Sequence, residues 1–67
     1  MSFSEALKKL KSGSRIKRSI WGGHWTLEEI DGLDRKIIVA TLKETGERVP
    51  ATAYQEDILA EDWQVAD

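Results

Sequence analysis

The hydrophobic period of this chain changes once, at Gly13, and that change restricts the fold more than any other feature. Before it, Phe3, Ala6, Leu7 and Leu10 fall at i, i+3, i+4 and i+7, the apolar stripe of an amphipathic helix. Ser2 and Glu5 have capping-box spacing, so each side chain can satisfy the other's free backbone N–H. Lys8, Lys9 and Lys11 sit near the C-terminal end, where the helix dipole favours cations, and Gly13 supplies the stop. Beyond Gly13 the apolar period is two, which predicts strands.

The first strand is expected over Arg15 to Trp21, with Ile16 and Ile20 on one face, and Gly22-Gly23 breaks it. Trp25 to Ile30 reads as a second strand, and Asp31-Gly32 opens a hairpin turn. Lys36 to Lys43 has apolar residues on both faces, the pattern of a central or interface strand. Glu44-Thr45-Gly46-Glu47 is a second turn, and Arg48-Val49 begins a short strand that Pro50 ends or places at an edge. Thr52 and Gln55 repeat the capping-box spacing, with Ile58, Leu59 and Ala60 as the apolar side of a two-turn helix. Trp63-Gln64-Val65 then returns to the sheet edge. The expected fold is α+β: an N-terminal helix packed on a small antiparallel β-sheet, with a short C-terminal helix and a final strand. Residues 1–67 form a single domain without internal repeat or linker.

A domain of 67 residues buries only roughly 60% of the surface its unfolded chain exposes. With no cysteine there is no disulfide framework and no thiolate metal site, and a single histidine is too little for a structural zinc. No metal or cofactor is expected. Oligomerisation is the remaining way to strengthen so small a core. No stretch approaches the ~20 apolar residues of a membrane span, and the N-terminus lacks a basic region followed by an apolar run. The expectation is a soluble cytoplasmic protein.

The net charge of -2 hides an asymmetry, because six of the eleven residues from Lys8 to Arg18 are Lys or Arg. Such a cluster can attract phosphate, or it can be a solvated face that balances the acidic C-terminal half. A duplex-binding protein would show a stronger basic bias, so nucleic acid is not the expected partner. Catalytic framing is weak. His24 has Ser19 and Thr26 nearby in sequence, but no elbow or motif holds a nucleophile beside a base. The expectation is a protein that is not an enzyme.

The turn Trp21-Gly22-Gly23-His24-Trp25 is more informative. Tryptophan offers a flat face for a purine or a cation, plus one N–H donor. The glycines admit close approach to the backbone or a positive φ. Arg18, three residues earlier, is a bidentate donor for phosphate. Equally, Trp21 and Trp25 are side chains of the kind that fill a core around a tight turn. Trp63 fits a core cap, Asp57 and Asp62 fit helix-end or surface acids, and His24 fits an exposed turn residue.

Two blocks at the ends of the chain resemble a known family. Phe3-Ser4-Glu5-Ala6-Leu7-Lys8-Lys9-Leu10-Lys11-Ser12-Gly13 resembles an F-x-E-A-L-x-x-L-K-x-G start, and the segment Arg15 to Gly23 resembles the K-x-x-R-x-x-W-N-G segment that follows it. Asp57-Ile58-Leu59-Ala60-Glu61-Asp62-Trp63-Gln64-Val65 is similar to its D-[IL]-L-A-x-D-W-x-V signature. These are the marks of the second Thoeris anti-defence family of phage and prophage domains, and they cover about half the chain. The middle, from Leu27 to Glu47, matches no motif. Gly22 stands where the family usually has Asn, and His24-Trp25 departs from its usual K-G-[MF] continuation.

The resemblance implies binding of a cyclic nucleotide immune messenger, either a cyclised ADP-ribose or a cyclic dinucleotide. The messenger is held without cleavage, inside the bacterial host cell, at sites near subunit interfaces of a homodimer or homotetramer. The expected site is Arg18, Trp21, Gly22, Gly23, His24, Trp25 and Asp57. In it, Trp21 or Trp25 stacks on a base and Arg18 compensates phosphate charge. Backbone N–H groups at Gly22-Gly23 donate to the ligand, and Asp57 accepts from a ribose hydroxyl or only caps its helix. The alternative from another class is a protein- or nucleic-acid-binding adaptor that uses the same Trp21–Trp25 turn and the Lys8–Arg18 cluster.

Overall fold

A computed structural model describes residues 1–29, 32 and 35–66. Helix α1 spans Phe3–Lys11. Its capping box is formed: the Glu5 N–H donates to Ser2 Oγ at 3.2 Å, and the Ser2 N–H donates to Glu5 Oε1 at 3.1 Å. Ala6 and Leu10 are its buried positions, and Gly13 follows the C-cap with φ +103°. Five strands follow: β1 Ile16–Arg18, β2 His24–Glu29, β3 Lys36–Thr41, β4 Arg48–Pro50 and β5 Trp63–Val65, with helix α2 at Gln55–Leu59 between β4 and β5. Each strand pairs antiparallel with its neighbours in the order β4-β3-β2-β1-β5. The α+β architecture read from the sequence is therefore the observed one. Ile30 and Asp31, and with them the strand end and hairpin turn expected there, lie outside the described residues.

The positions of the strands follow from what each can donate. Pro50 has no N–H and sits on β4 at one edge of the sheet, opposite Val39. Strand β3, apolar on both faces, is interior. Strand β5 forms the other edge, with Trp63 opposite Arg18 and Val65 opposite Ile16. Helix α1 packs over β1, β2 and β5. There it buries Ala6, Leu10 and Ile16 against Trp25 and Trp63.

Four expectations are corrected. Strand β1 stops at Arg18, because the Trp21 N–H turns back to donate to the Arg18 carbonyl at 3.0 Å. Ile20 is thereby lifted off the face of Ile16 and is 72% exposed. Strand β3 ends at Thr41, where the Leu42 N–H meets the Glu47 carbonyl at 2.9 Å and starts the turn. The cap of α2 is displaced from Thr52 to Tyr54, whose N–H donates to Asp57 Oδ2 at 3.3 Å. Ile58 and Leu59 are exposed, and the inward residue of α2 is Asp57. A polar contact set this orientation: the Trp63 indole N–H donates to the Asp57 carbonyl at 2.8 Å, which anchors α2 by its backbone.

Candidate functional site

Helix α1 covers one half of the sheet, and the five-residue α2 is too short to cover the other. The result is a cleft of about 700 Å³ against β3 and β4, beside the aromatic turn. Trp21, Trp25 and Ala40 line it, as do Val49 and Ala51. Further lining comes from Gly22, Gly23 and His24 on one side and from Tyr54, Glu56 and Asp57 on another. Six of the seven residues expected from the sequence thus share one cleft; Arg18 does not line it.

The three tryptophans form one cluster. Ring centroids are 5.1 Å apart for Trp21 and Trp25, 5.2 Å for Trp21 and Trp63, and 5.2 Å for Trp25 and Trp63. Such tilted and edge-on pairs are favoured by the ring quadrupoles. Trp25 is 5% exposed and Trp63 2%, so both belong to the core. Trp21 is half-buried, the outermost ring of the cluster and the one with area left for a ligand. Tyr54, 65% exposed, adds a second aromatic surface to the cleft.

Arg18 is engaged elsewhere. Its Nη1 donates to Asp57 Oδ1 at 2.9 Å, its Nε to Asp62 Oδ1 at 2.8 Å, and its Nη2 to Asp62 Oδ2 at 3.5 Å. Hydrogen bonds from Arg18 and then from Ser19 hold the Asp62 carboxyl at about 2, and the bonds to Asp62 and Asp57 raise the Arg18 pKa. Asp57, 5% exposed, therefore spends one oxygen on Arg18 and the other on the Tyr54 N–H. This network ties the end of β1 to the middle of α2 and to Asp62, the residue before β5, and so fixes the wall from which Tyr54 projects. The basic run from Lys8 to Arg18 is divided as well: none of its six cations lines the cleft.

His24 lines the cleft half-buried, and burial, then the charge of Arg15, lowers its pKa below 6.5. The hydroxyls near it in sequence are committed to carboxylates, Ser19 to Asp62 at 2.6 Å and Thr26 to Glu28 at 2.8 Å. The glycines do not serve positive φ, which neither adopts. A side-chain carbon on Gly23 would collide with the Thr41 carbonyl oxygen, so Gly23 is required by the approach of the backbones. Gly22 instead faces the side chain of Lys43.

Sequence reasoning missed Tyr54, Lys43, Glu44 and Glu56 as cleft residues. Tyr54 carried a signal, being the chain's one tyrosine placed just before an acidic helical turn. Nothing in its spacing connects it with Trp21. Lys43 is one of several turn-flanking charges and carried none. A family model for the Tad2-like, or Thoeris anti-defense 2-like, domain matches residues 1–66. No curated protein matches the chain.

Proposed function

This chain belongs to the Thoeris anti-defense 2-like family, and we propose that it acts in anti-defence by binding a cyclic nucleotide immune messenger and withholding it, uncleaved, from its effector. The messenger class is a cyclic ADP-ribose isomer or a cyclic dinucleotide, met inside the bacterial host during phage infection. Family membership gives the anti-defence role. The observation that carries the finer reading is the cleft itself. Its volume of about 700 Å³ lies within the range of roughly 300–1,000 Å³ typical of small-molecule sites. Half-buried Trp21 and exposed Tyr54 both line it, and base–aromatic stacking contributes about 1–3 kcal/mol per base.

In this reading Trp21 takes the base, with Trp25 and Trp63 holding it from behind. Backbone N–H groups at Gly22-Gly23 donate to the ligand. Arg18 and Asp57 act together as the support of the cleft wall. A competing sponge needs a Kd in the low-nanomolar range, about -12 kcal/mol, which an open cleft on one small subunit does not readily supply. Ile20, Leu42 and Tyr54 leave large apolar surface exposed around the cleft. A second copy seated over that rim, in a homodimer or homotetramer, would enclose the ligand. Among the described residues no helix is long and apolar enough to cross a membrane.

The test is direct. The protein is incubated with cyclic ADP-ribose isomers and cyclic dinucleotides, binding is measured by calorimetry, the sample is heat-denatured and the released compound is identified. Intact ligand is the expected product. A chemically altered ligand would mean catalysis, and binding to none of these compounds would overturn the proposal. Duplex DNA binding that weakens steeply with salt would favour the adaptor instead.

A further inference from the structure

We infer that Lys43, lodged against the space that Gly22 leaves open, is the cation that receives the ligand's phosphate in this cleft. The inference rests on reading the cleft as a nucleotide site. It begins with Arg18, the cation that sequence alone singled out. Two carboxylates take that guanidinium through three contacts, and it does not line the cleft. Among the described lining residues Lys43 is the one lysine or arginine, and it forms no ion pair among the described residues.

The charge around it makes that cation necessary. Glu44 and Glu56 also line the cleft, and Asp57 is already neutralised by Arg18. A phosphate entering between two uncompensated carboxylates is repelled, and the Lys43 ammonium is the one side chain in the lining whose charge attracts it, offsetting one of the two. The two carboxylates are suited to accept from ribose hydroxyls, which leaves the phosphate to the lysine side.

Gly22 explains how the lysine comes to be there. Its φ is not in the left-handed region, so its backbone does not demand glycine. What fills the space is the lysine stem: a Cβ on Gly22 would stand 2.6 Å from Lys43 Cδ and 3.2 Å from Lys43 Cβ, so a side chain there would displace the lysine. The missing side chain at 22 and the lysine at 43 are therefore one device, in which the alkyl stem packs on bare backbone at the cleft lining and its flexible end is left to meet the phosphate.

The experiment is a double-mutant cycle on the full chain, read by calorimetry with whichever cyclic ADP-ribose isomer or cyclic dinucleotide binds the unaltered protein, at two salt concentrations. Lys43→Gln is expected to weaken binding about tenfold, as for loss of a hydrogen bond to a charged group, and to flatten the salt dependence. Lys43→Arg should stay within about threefold of the parent, since the charge is kept. Gly22→Ala is expected to weaken binding several-fold beside Lys43 and to have no further effect beside Gln at 43. Thermal unfolding of each variant confirms that it is folded. Full affinity in Lys43→Gln, or a Gly22→Ala effect that is the same in both backgrounds, overturns the inference while the nucleotide reading stands. An unaltered protein that binds none of the compounds overturns that reading, and the inference with it.

Discussion

Trp63 and Trp21 have ring centroids 5.2 Å apart and opposite fates. Trp63 is held on every side. Phe3 of α1 packs at 5.3 Å, Trp25 at 5.2 Å, and its indole N–H has a carbonyl partner in α2. Trp21 belongs to the same cluster but sits where α1 no longer covers the sheet, so it faces neighbours on one side and the cleft on the other. The contrast teaches that this small domain places its one helix of useful length over half its sheet. The uncovered half becomes the place where a ligand can be met.

The largest expected effect lies on the covered side. Trp63→Ala should cost about 3–5 kcal/mol, a sum comparable to the whole stability of a domain this small, and leave the chain largely unfolded by circular dichroism at 25 °C. Retention of a cooperative unfolding transition near that of the parent would break the comparison. Gly23→Ala follows at about 1–3 kcal/mol in chemical denaturation, because the new methyl meets the Thr41 carbonyl and forces β2 and β3 apart. Gly22→Ala, which meets only a flexible lysine, should cost less than Gly23→Ala; the reverse order would refute the two different reasons given for these glycines.

Trp21→Ala sharpens the contrast, since its stability loss should be well under that of Trp63→Ala while messenger affinity falls by roughly 5- to 100-fold. Parallel denaturation and titration of the two variants test this. The smallest effect is electrostatic. Asp62 titrates near 3.8 when unfolded and at about 2 when folded, so the stability from its contacts with Arg18 and Ser19 is complete above about pH 4 and is lost as pH falls toward 2. Asp62→Asn should remove that part of the acid dependence in pH-resolved denaturation. His24 acts at milder pH with the same sense. Its lowered pKa means the unfolded chain takes the proton first, so stability declines as pH falls through about 6.5, and His24→Gln should flatten that slope.

Legibility in the sequence followed the range of the interactions. The capping of α1 by Ser2 and Glu5 spans three residues, and both the helix and its buried stripe were readable there. Pro50 showed that β4 either stops there or lies at an edge, and the sheet order places it at the edge. The aromatic turn was readable as a cluster, and the structure gathers its members beside Asp57 in one cleft. What failed was partnership across the chain. Arg18 looked like a free phosphate donor because its acids stand 39 and 44 positions away, where no local pattern reports them. Ile58 and Leu59 looked like the buried side of α2 because hydropathy favours them, yet the bond from the Trp63 indole to the Asp57 carbonyl turns them outward.

By itself, then, the sequence determined the period switch at Gly13, the α1 cap, the order of elements and the terminal Asp57–Val65 block. Each of these depends on spacing, which a linear chain carries in full. The tertiary structure alone decided which tryptophan keeps an open face, which glycine answers to backbone and which to Lys43, and that Arg18 and Asp57 are spent on one another. Those outcomes depend on which distant residues arrive together once α1 has covered its half of the sheet, and hydropathy and propensity do not encode that meeting.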